Sequence, residues 1–474
     1  MSSEFSDTVD KQVYYDWTGK ILKNKYILIK KLGHGSFATV WLAYNQSNKK
    51  LFAIKIHNTT DFDSGKLEDE LLHKFKNCDK IVNRIESFSH HSENNDEIHF
   101  CIVLELMACS IYDLIKNGKY KNGLPARIAT KIIHQCLIAI KQLHDCGYIH
   151  TDIKPENILL DGISLENQKI IDLLNSHIFK LTLQKNKKKL SLNKHDLRKE
   201  GCSLHNKATE ITIKELVSNV HSDNNEYNES DNSDIINSDY IQSSSEDLNY
   251  TDINSNFKFN RNIIESDYSN DTDDEYSQEL ENESACIVSD EVINNCSVKL
   301  SDLGTCLNIE DNKKKLNFNI QTRYYRAPEI ILKCEYTENC DIWSIGCTFY
   351  ELITGSILFD PDNCDPISKN RFQLFDIQSK IGIMPAKILE KSPIFDTIYK
   401  NNGLIKGFRN FSYSPIWIDI KQKLEINKNF CHESSACDDY IYGIINFIQH
   451  CLHLDNNIRP YPKDCLKHVL FNME

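Results

Sequence analysis

"YIHTDIKPENILL", Tyr148 to Leu160, is the stretch from which the rest of the chain can be read. It carries a carboxylate at Asp152, an ammonium at Lys154 and a side-chain amide at Asn157, followed by a strand-like apolar end. A carboxylate in such a loop can accept a hydroxyl proton, an ammonium can neutralise an anionic group in transfer, and an amide oxygen can ligate a hard cation. A purely structural loop rarely matches the ordered string DIKPEN. Thr151, immediately before the carboxylate, is uncharged, and its meaning depends on what surrounds the stretch.

Upstream, "YILIKKLGHGSFATVWLAYN" and "KLFAIKIH" alternate apolar and polar residues from about Tyr26 to Ile56, the pattern of paired antiparallel strands. "GKLEDELLHKFKN" then predicts a helix with Leu67, Leu71, Leu72 and Phe75 on one face. Strand-like "IHFCIVLEL" is followed by the helical stretches "SIYDLIKNG" and "ARIATKIIHQCLIAIKQLHDCG". Within the first strands, the turn Leu32, Gly33, His34, Gly35, Ser36, Phe37, Ala38, Thr39 and Val40 would let backbone N–H groups approach phosphate oxygens. Alone it also fits a plain hairpin, and Ala38 stands where a third glycine is common. "FAIK" strengthens the reading. Lys55 can pair nucleotide phosphates, Ala53 is small enough for an adenine ring to lie over the strand, and Glu70 is the candidate anion partner of Lys55.

The chain has 474 residues and a formal net charge of -13, but residues 161–297 hold 27 carboxylates against 13 Lys and Arg, so the remainder is near neutral. Those 137 residues are rich in Asn, Ser, Asp and Glu, with a basic first part and a strongly acidic second part. Such a composition predicts disorder, because too little apolar area is available to offset ordering entropy. Widening a short turn into a loop of this length costs only about 3 kcal/mol, so the insert splits one domain and does not separate two. Order resumes at "SVKLSDLG", which offers Asp302 as a second metal ligand. "QTRYYRAPE", "DIWSIGC" and "NNIRP" follow, with Arg459 placed to pair with Glu329. The 17 Cys show no metal-ligand spacing, no apolar run reaches 18 residues, and "MSSEFSDTVDKQ" has no signal core, so a soluble, reduced, intracellular protein is expected.

Over residues 20–160 and 298–472 these motifs resemble the eukaryotic protein kinases. "RYYRAPE" is similar to the group that holds the cyclin-dependent, MAP, glycogen-synthase and SR-protein kinases. The SR-protein kinases share His-Thr-Asp in the catalytic loop, Asp-Leu-Gly at the metal ligand, a run like Ile320 to Arg323, and a long polar spacer. The resemblance implies an α+β, bilobal fold: a small antiparallel-sheet lobe (26–107 after an extension at 1–25) and a large helical lobe. The large lobe would comprise 108–160 and 298–474, split by a disordered spacer at 161–297. It implies ATP and Mg²⁺ as cofactors, with Asn157 and Asp302 on the metal. Asp152 is the proton acceptor, and Lys154, Lys55 and Glu70 are the other catalytic residues. Leu104 would be the gatekeeper, Glu105 and Met107 would meet adenine through their backbones, and Leu159 would floor the ring.

Most such kinases have Arg where Thr151 stands, and that Arg orders the activation segment through a phosphate. Thr151 removes the phosphate switch and leaves the chemistry intact, so an active, constitutive Ser/Thr kinase is expected. Its substrates would be proteins with Ser/Thr acceptors, with Arg/Ser-rich splicing factors as candidates. No membrane or direct nucleic-acid contact is expected, and a monomer in cytoplasm and nucleus is. Lys369, Arg371 and Lys380 would oppose an Arg-rich substrate unless Asp360, Asp362 and Asp365 compensate. "KNKKK", Lys185 to Lys189, reads as a candidate nuclear import signal or a solvated lysine run. The alternatives are a pseudokinase scaffold and a related dual-specificity kinase.

Overall fold

Alternating β-branched and aromatic residues set the first strands, β1 (Ile21–Leu22), β2 (Tyr26–His34), β3 (Ala38–Asn45) and β4 (Lys50–His57). They run antiparallel, with Val40 opposite Lys55 and Leu42 opposite Ala53. Tyr26, Leu28, Trp41, Leu42, Phe52 and Ile54 bury their side chains, as the strand reading of Tyr26 to Ile56 requires. After helix α1 (Phe62–Lys74), strands β5 (Arg84–His91) and β6 (Ile98–Leu104) complete a sheet of order β1-β2-β3-β4-β6-β5. The computed structural model describes residues 16–35, 37–92, 97–116, 118–191, 204–222, 288–314, 316–361, 368–400, 404–408, 413–426 and 434–473.

These residues divide into two units, one drawn from 1–58, 88–101 and 169–265 and the other from 59–87, 102–168 and 266–474. Helix α1 therefore groups with the second unit. Its buried stripe is Gly65, Glu68 and Leu72, continued by Phe75, while Leu67 is 62% exposed. Leu72 and Phe75 of the expected face are buried, but Leu67 is not, because a buried carboxylate, Glu68, occupies the stripe at a position that an apolar count skips.

The chain continues through β7 (Cys109–Ser110), α2 (Ile111–Lys116), α3 (Ala126–Asp145), β8 (Tyr148–Ile149) and β9 (Ile158–Leu160). Part of the insert then departs from expectation. Residues expected to be disordered form helices α4 (Leu165–Asn175), α5 (His177–Ser191) and α6 (Leu204–Ser222). Residues 192–203 and 223–287 lie outside the described residues. Ile170, Leu174, Phe179, Ala208, Ile213 and Leu216 are buried at helical spacing, which supplies the apolar area that average composition conceals. Asn186 is buried between α5 and α6, donating to Thr212 Oγ1 (3.1 Å) and Glu215 Oε2 (3.0 Å). In the first unit, Tyr44 Oη donates to Asn175 Oδ1 (3.5 Å), and the His205 ring lies 3.1 Å from Gln46 Oε1. Gly19 (φ 79°) sits against α6 so closely that a Cβ there would stand 2.7 Å from the Glu210 carbonyl oxygen.

The insert leaves from β9 and returns to β10 (Val298–Leu300), its antiparallel neighbour, with Ile158 opposite Leu300 and Asp161 N–H bonded to Ser297 O at 2.8 Å. One domain is thus interrupted and resumed, as the loop argument anticipates. Strand β11 (Leu307–Asn308) pairs with β8. Helix α7 (Cys340–Thr354) is buried along its whole length, and α8 (Lys369–Lys380) and α9 (Ser434–Cys451) follow. The expected Arg459–Glu329 pair is present and buried, with two parallel bonds of 2.7 and 3.0 Å, and Arg459 also donates to the carbonyls of Asn339 and His453. Nine of the twelve Cys whose side chains are described are buried as free thiols, and among the described residues no helix is long and apolar enough to cross a membrane.

Candidate active site

In the second unit the loop between β8 and β9 is held from below by one carboxylate. Asp341, the second residue of α7, accepts the N–H of His150 (2.8 Å) and of Thr151 (2.9 Å), and the His144 ring lies 2.9 Å from it. Burial would raise its carboxyl. The hydrogen bond from His144, the two imidazoles and the His150 N–H outweigh that and hold it below the usual carboxylate range. Sequence reading quoted "DIWSIGC" without assigning Asp341, although an Asp opening an otherwise apolar helix was the available signal.

Thr151 is buried with φ 70°, a left-handed conformation that a β-branched residue adopts only when its surroundings enforce it. Its Oγ1 donates to the Thr305 carbonyl at 2.8 Å, and Thr305 Oγ1 donates to the His150 carbonyl at 3.3 Å. The loop is therefore bonded directly to the segment that begins at Asp302.

Asp152 collects partners on both oxygens. Thr322 Oγ1 donates to Oδ1 at 2.6 Å, while Asn157 Nδ2 (2.9 Å) and Lys154 Nζ (3.0 Å) reach Oδ2. Lys154 Nζ also donates to Thr322 Oγ1 at 3.0 Å. Burial works against the Lys154 charge, yet Asp152, Glu156 and Asp302 hold its ammonium above the usual lysine range. Asn157 is tied to the next expected ligand through its carbonyl, which accepts from Ser301 N–H (2.9 Å) and Ser301 Oγ (3.0 Å). The structure thus brings Asp152, Lys154, Asn157 and Thr322 together and sets Asn157 beside the Ser301-Asp302 backbone.

The donor set fits magnesium. Asn157 spends its NH₂ on Asp152, which leaves an amide oxygen, and Asp302 adds a carboxylate. Magnesium takes one or two protein oxygens and keeps water and phosphate oxygens for the rest. Negative charge accumulates there: burial, then Asp341, Asp302 and Glu68, push the Cys306 thiol well above its ordinary value. Among the described residues there is no group of three or more His, Cys, Asp or Glu that could hold a metal ion, and the pair of Asn157 and Asp302 supplies two oxygens.

Glu70 is not the buried carboxylate of α1. It is exposed, whereas Glu68 is 2% exposed. A Cβ at Gly304 would stand 3.1 Å from Glu68 Oε2 and 3.6 Å from Asp302 Oδ1, so the glycine after Leu303 leaves room for these two carboxylates. In the same unit, Glu105 N–H is committed to Asn83 O (3.0 Å) and its side chain to Lys299 (2.7 Å), so only its carbonyl is left for a base. Met107 is buried, and Leu104 and Leu159 are half-buried.

In the first unit, Lys55 is half-buried on β4, Ala53 is buried, and Leu32, Gly33 and His34 end β2 opposite Thr39 and Val40. A Cβ at Gly33 or Gly35 would meet nothing within 4 Å, so packing among the described residues does not account for either glycine. Phe37 is 57% exposed, Ala38 is buried, and Ser36 lies outside the described residues. Of the basic residues on α8, Lys380 is neutralised by Asp376 at 2.9 Å, and Arg371 donates to Ser368 Oγ (3.0 Å) and the Lys406 carbonyl (3.3 Å). Lys369 and Asp360 are exposed, while Asp362 and Asp365 lie outside the described residues. Tyr325 is buried and donates to Glu351 Oε2 at 2.6 Å. "KNKKK" lies on α5, where an extended signal would have to pull out buried Asn186.

A chain with this interrupted domain and this loop belongs to the protein kinases: the protein kinase domain family matches residues 26–192 and 287–471. It is a serine/threonine kinase whose relatives include SR-protein kinases. It is 30% identical to the putative serine/threonine-protein kinase L205 of Acanthamoeba polyphaga mimivirus, over 96% of this chain and 88% of the relative. It is 26% identical to protein kinase dsk1 of Schizosaccharomyces pombe (87% and 76% covered) and 27% identical to the serine/threonine-protein kinase SRPK of Physarum polycephalum (84% and 76%). The domain implies ATP-dependent phosphoryl transfer to protein substrates.

Proposed function

We propose that this kinase phosphorylates Ser and Thr hydroxyls in Arg/Ser-rich proteins, and that it does so without prior phosphorylation of its own activation segment. The observation that carries the proposal is the bond from Thr151 to Thr305, which ties the catalytic loop directly to the segment that begins at Asp302. Asp152 orients the acceptor hydroxyl and takes its proton, Lys154 neutralises charge on the transferring group, and Thr322 braces both. Lys55 would pair the nucleotide phosphates, and the buried carboxylate of α1 is Glu68 and not Glu70. Open space over Gly33 and Gly35 supports backbone contact with phosphate. Asn157 and Asp302 would hold magnesium, whose bound charge offsets that of the phosphates.

The intact set of Lys55, Asp152, Asn157 and Asp302 favours catalysis over a scaffold role. Neutralisation of Lys380 removes part of the objection to Arg-rich substrates. The test is phosphorylation of a degenerate Ser/Thr peptide library by the full chain, with Asp152→Asn as the blank. Selection for Arg around the acceptor supports the proposal; selection for acidic or proline-directed sites would transfer the protein to the dual-specificity alternative. No transfer above the blank would leave the scaffold reading.

A further inference from the structure

Helix α5 carries a charge that the kinase reaction does not use. Its fifteen residues, HIFKLTLQKNKKKLS, include Lys180, Lys185, Lys187, Lys188 and Lys189 and no carboxylate. Phe179 and Asn186 turn inward, whereas Lys180, Lys185, Lys188 and Lys189 are exposed, with Leu181 half exposed among them. None of the five ammonium groups has a carboxylate partner among the described residues, although exposed lysines elsewhere, such as Lys66, Lys141 and Lys214, do. Because α5 is held by Asn186 and by packing on α6, these charges are fixed along one face. A solvated surface helix normally mixes both signs, so an unmixed cationic face is a surface built for an anion.

We propose that this face is occupied by the chain's own acidic segment, residues 223–287. That segment holds 18 Asp and Glu against Lys258 and Arg261, and it begins directly after Ser222, the last residue of α6. Since α6 packs on α5, the segment is tethered next to the face at an effective concentration of order millimolar. Each exposed ion pair contributes only about 0.2–1 kcal/mol, so occupancy depends on many pairs acting together and weakens with salt. The consequence is electrostatic masking: α5 is withheld from nucleic acids and other polyanions that a bare lysine face would attract.

The test uses the full chain. Carbodiimide cross-linking at low salt, read by mass spectrometry, should join Lys180, Lys185, Lys188 or Lys189 to carboxylates of 223–287, and the links should disappear in 0.5 M salt. Binding of a fluorescein-labelled 20-nucleotide poly-uridylate RNA should be weak. It should tighten at least tenfold when Asp271→Asn, Asp273→Asn, Asp274→Asn, Glu275→Gln, Glu279→Gln, Glu281→Gln and Glu283→Gln are combined. Adding Lys180→Gln, Lys185→Gln, Lys188→Gln and Lys189→Gln should abolish the gain. Two results would overturn the proposal. If the unaltered chain binds the RNA as tightly as the neutralised variant, the face is open to nucleic acid. If no cross-links form and neutralisation changes nothing, it is only solvated. Cross-linking needs no variant, so misfolding cannot hide the answer.

Discussion

Thr151 Oγ1 donates a 2.8 Å hydrogen bond to the carbonyl oxygen of Thr305, across 154 residues of sequence. This bond joins the catalytic loop to the segment that carries Asp302 and stands where other kinases place an arginine and a phosphate. Thr151→Val keeps the β-branched shape at φ 70° and removes only the donor. A bond of this kind contributes about 1 kcal/mol, so kcat should fall about fivefold at unchanged KM for ATP. Steady-state kinetics with one peptide decide it, and an unchanged kcat would remove Thr151 from the account.

Glu68 and Glu70 separate cleanly. Glu68 is buried on α1 beside Gly304, while Glu70 faces solvent. Glu68→Gln should lower kcat/KM by tenfold or more, because a buried carboxylate loses its charge, and Glu70→Gln should change it less than about twofold. The reverse order would restore the assignment made from sequence.

The insert should divide into two parts under deletion. Removing residues 223–287 should leave the melting temperature and kcat near their starting values. Removing 165–222 takes away the helices in which Ile170, Leu174, Ala208 and Ile213 are buried, each worth about 1–3 kcal/mol. That variant should melt several degrees lower or fail to fold. Equal melting of the two would show that the helices contribute nothing.

Glu351 supplies a pH signature. Burial, opposed by the bond from Tyr325 and reinforced by Glu156, lifts its carboxyl to about 7 from an ordinary value near 4.5. The folded chain therefore holds a proton that the unfolded chain releases, and stability declines as pH rises from about 4.5 to 7. Glu351→Gln removes this slope. The variant's melting temperature relative to the unaltered chain should rise between pH 5 and pH 8; a constant difference would contradict the buried-acid account.

The residues legible from sequence were those whose chemistry demands short spacing. Asp152, Lys154 and Asn157 lie within six residues, and the structure joins all three. Arg459 and Glu329 were found across 130 residues because each sits in its own recognisable string. Glu68 was missed because apolar counting sets a helix face by its leucines, and here a carboxylate occupies the buried stripe. Asp341 contacts Thr151 from 190 residues away, which no local pattern reports. The helices of the insert were lost by averaging: their buried apolar residues are outnumbered by the polar residues that follow.

The most direct test of the central claim compares bacterially expressed full chain before and after phosphatase treatment, on one Arg/Ser peptide, with Asp152→Asn as the blank. If the Thr151–Thr305 bond orders the site, initial rates agree within about twofold, since no phosphate carries the loop. A tenfold or larger fall after treatment, with the lost phosphate mapped between Asp302 and Glu329, would contradict the account and show an enzyme switched by its activation segment.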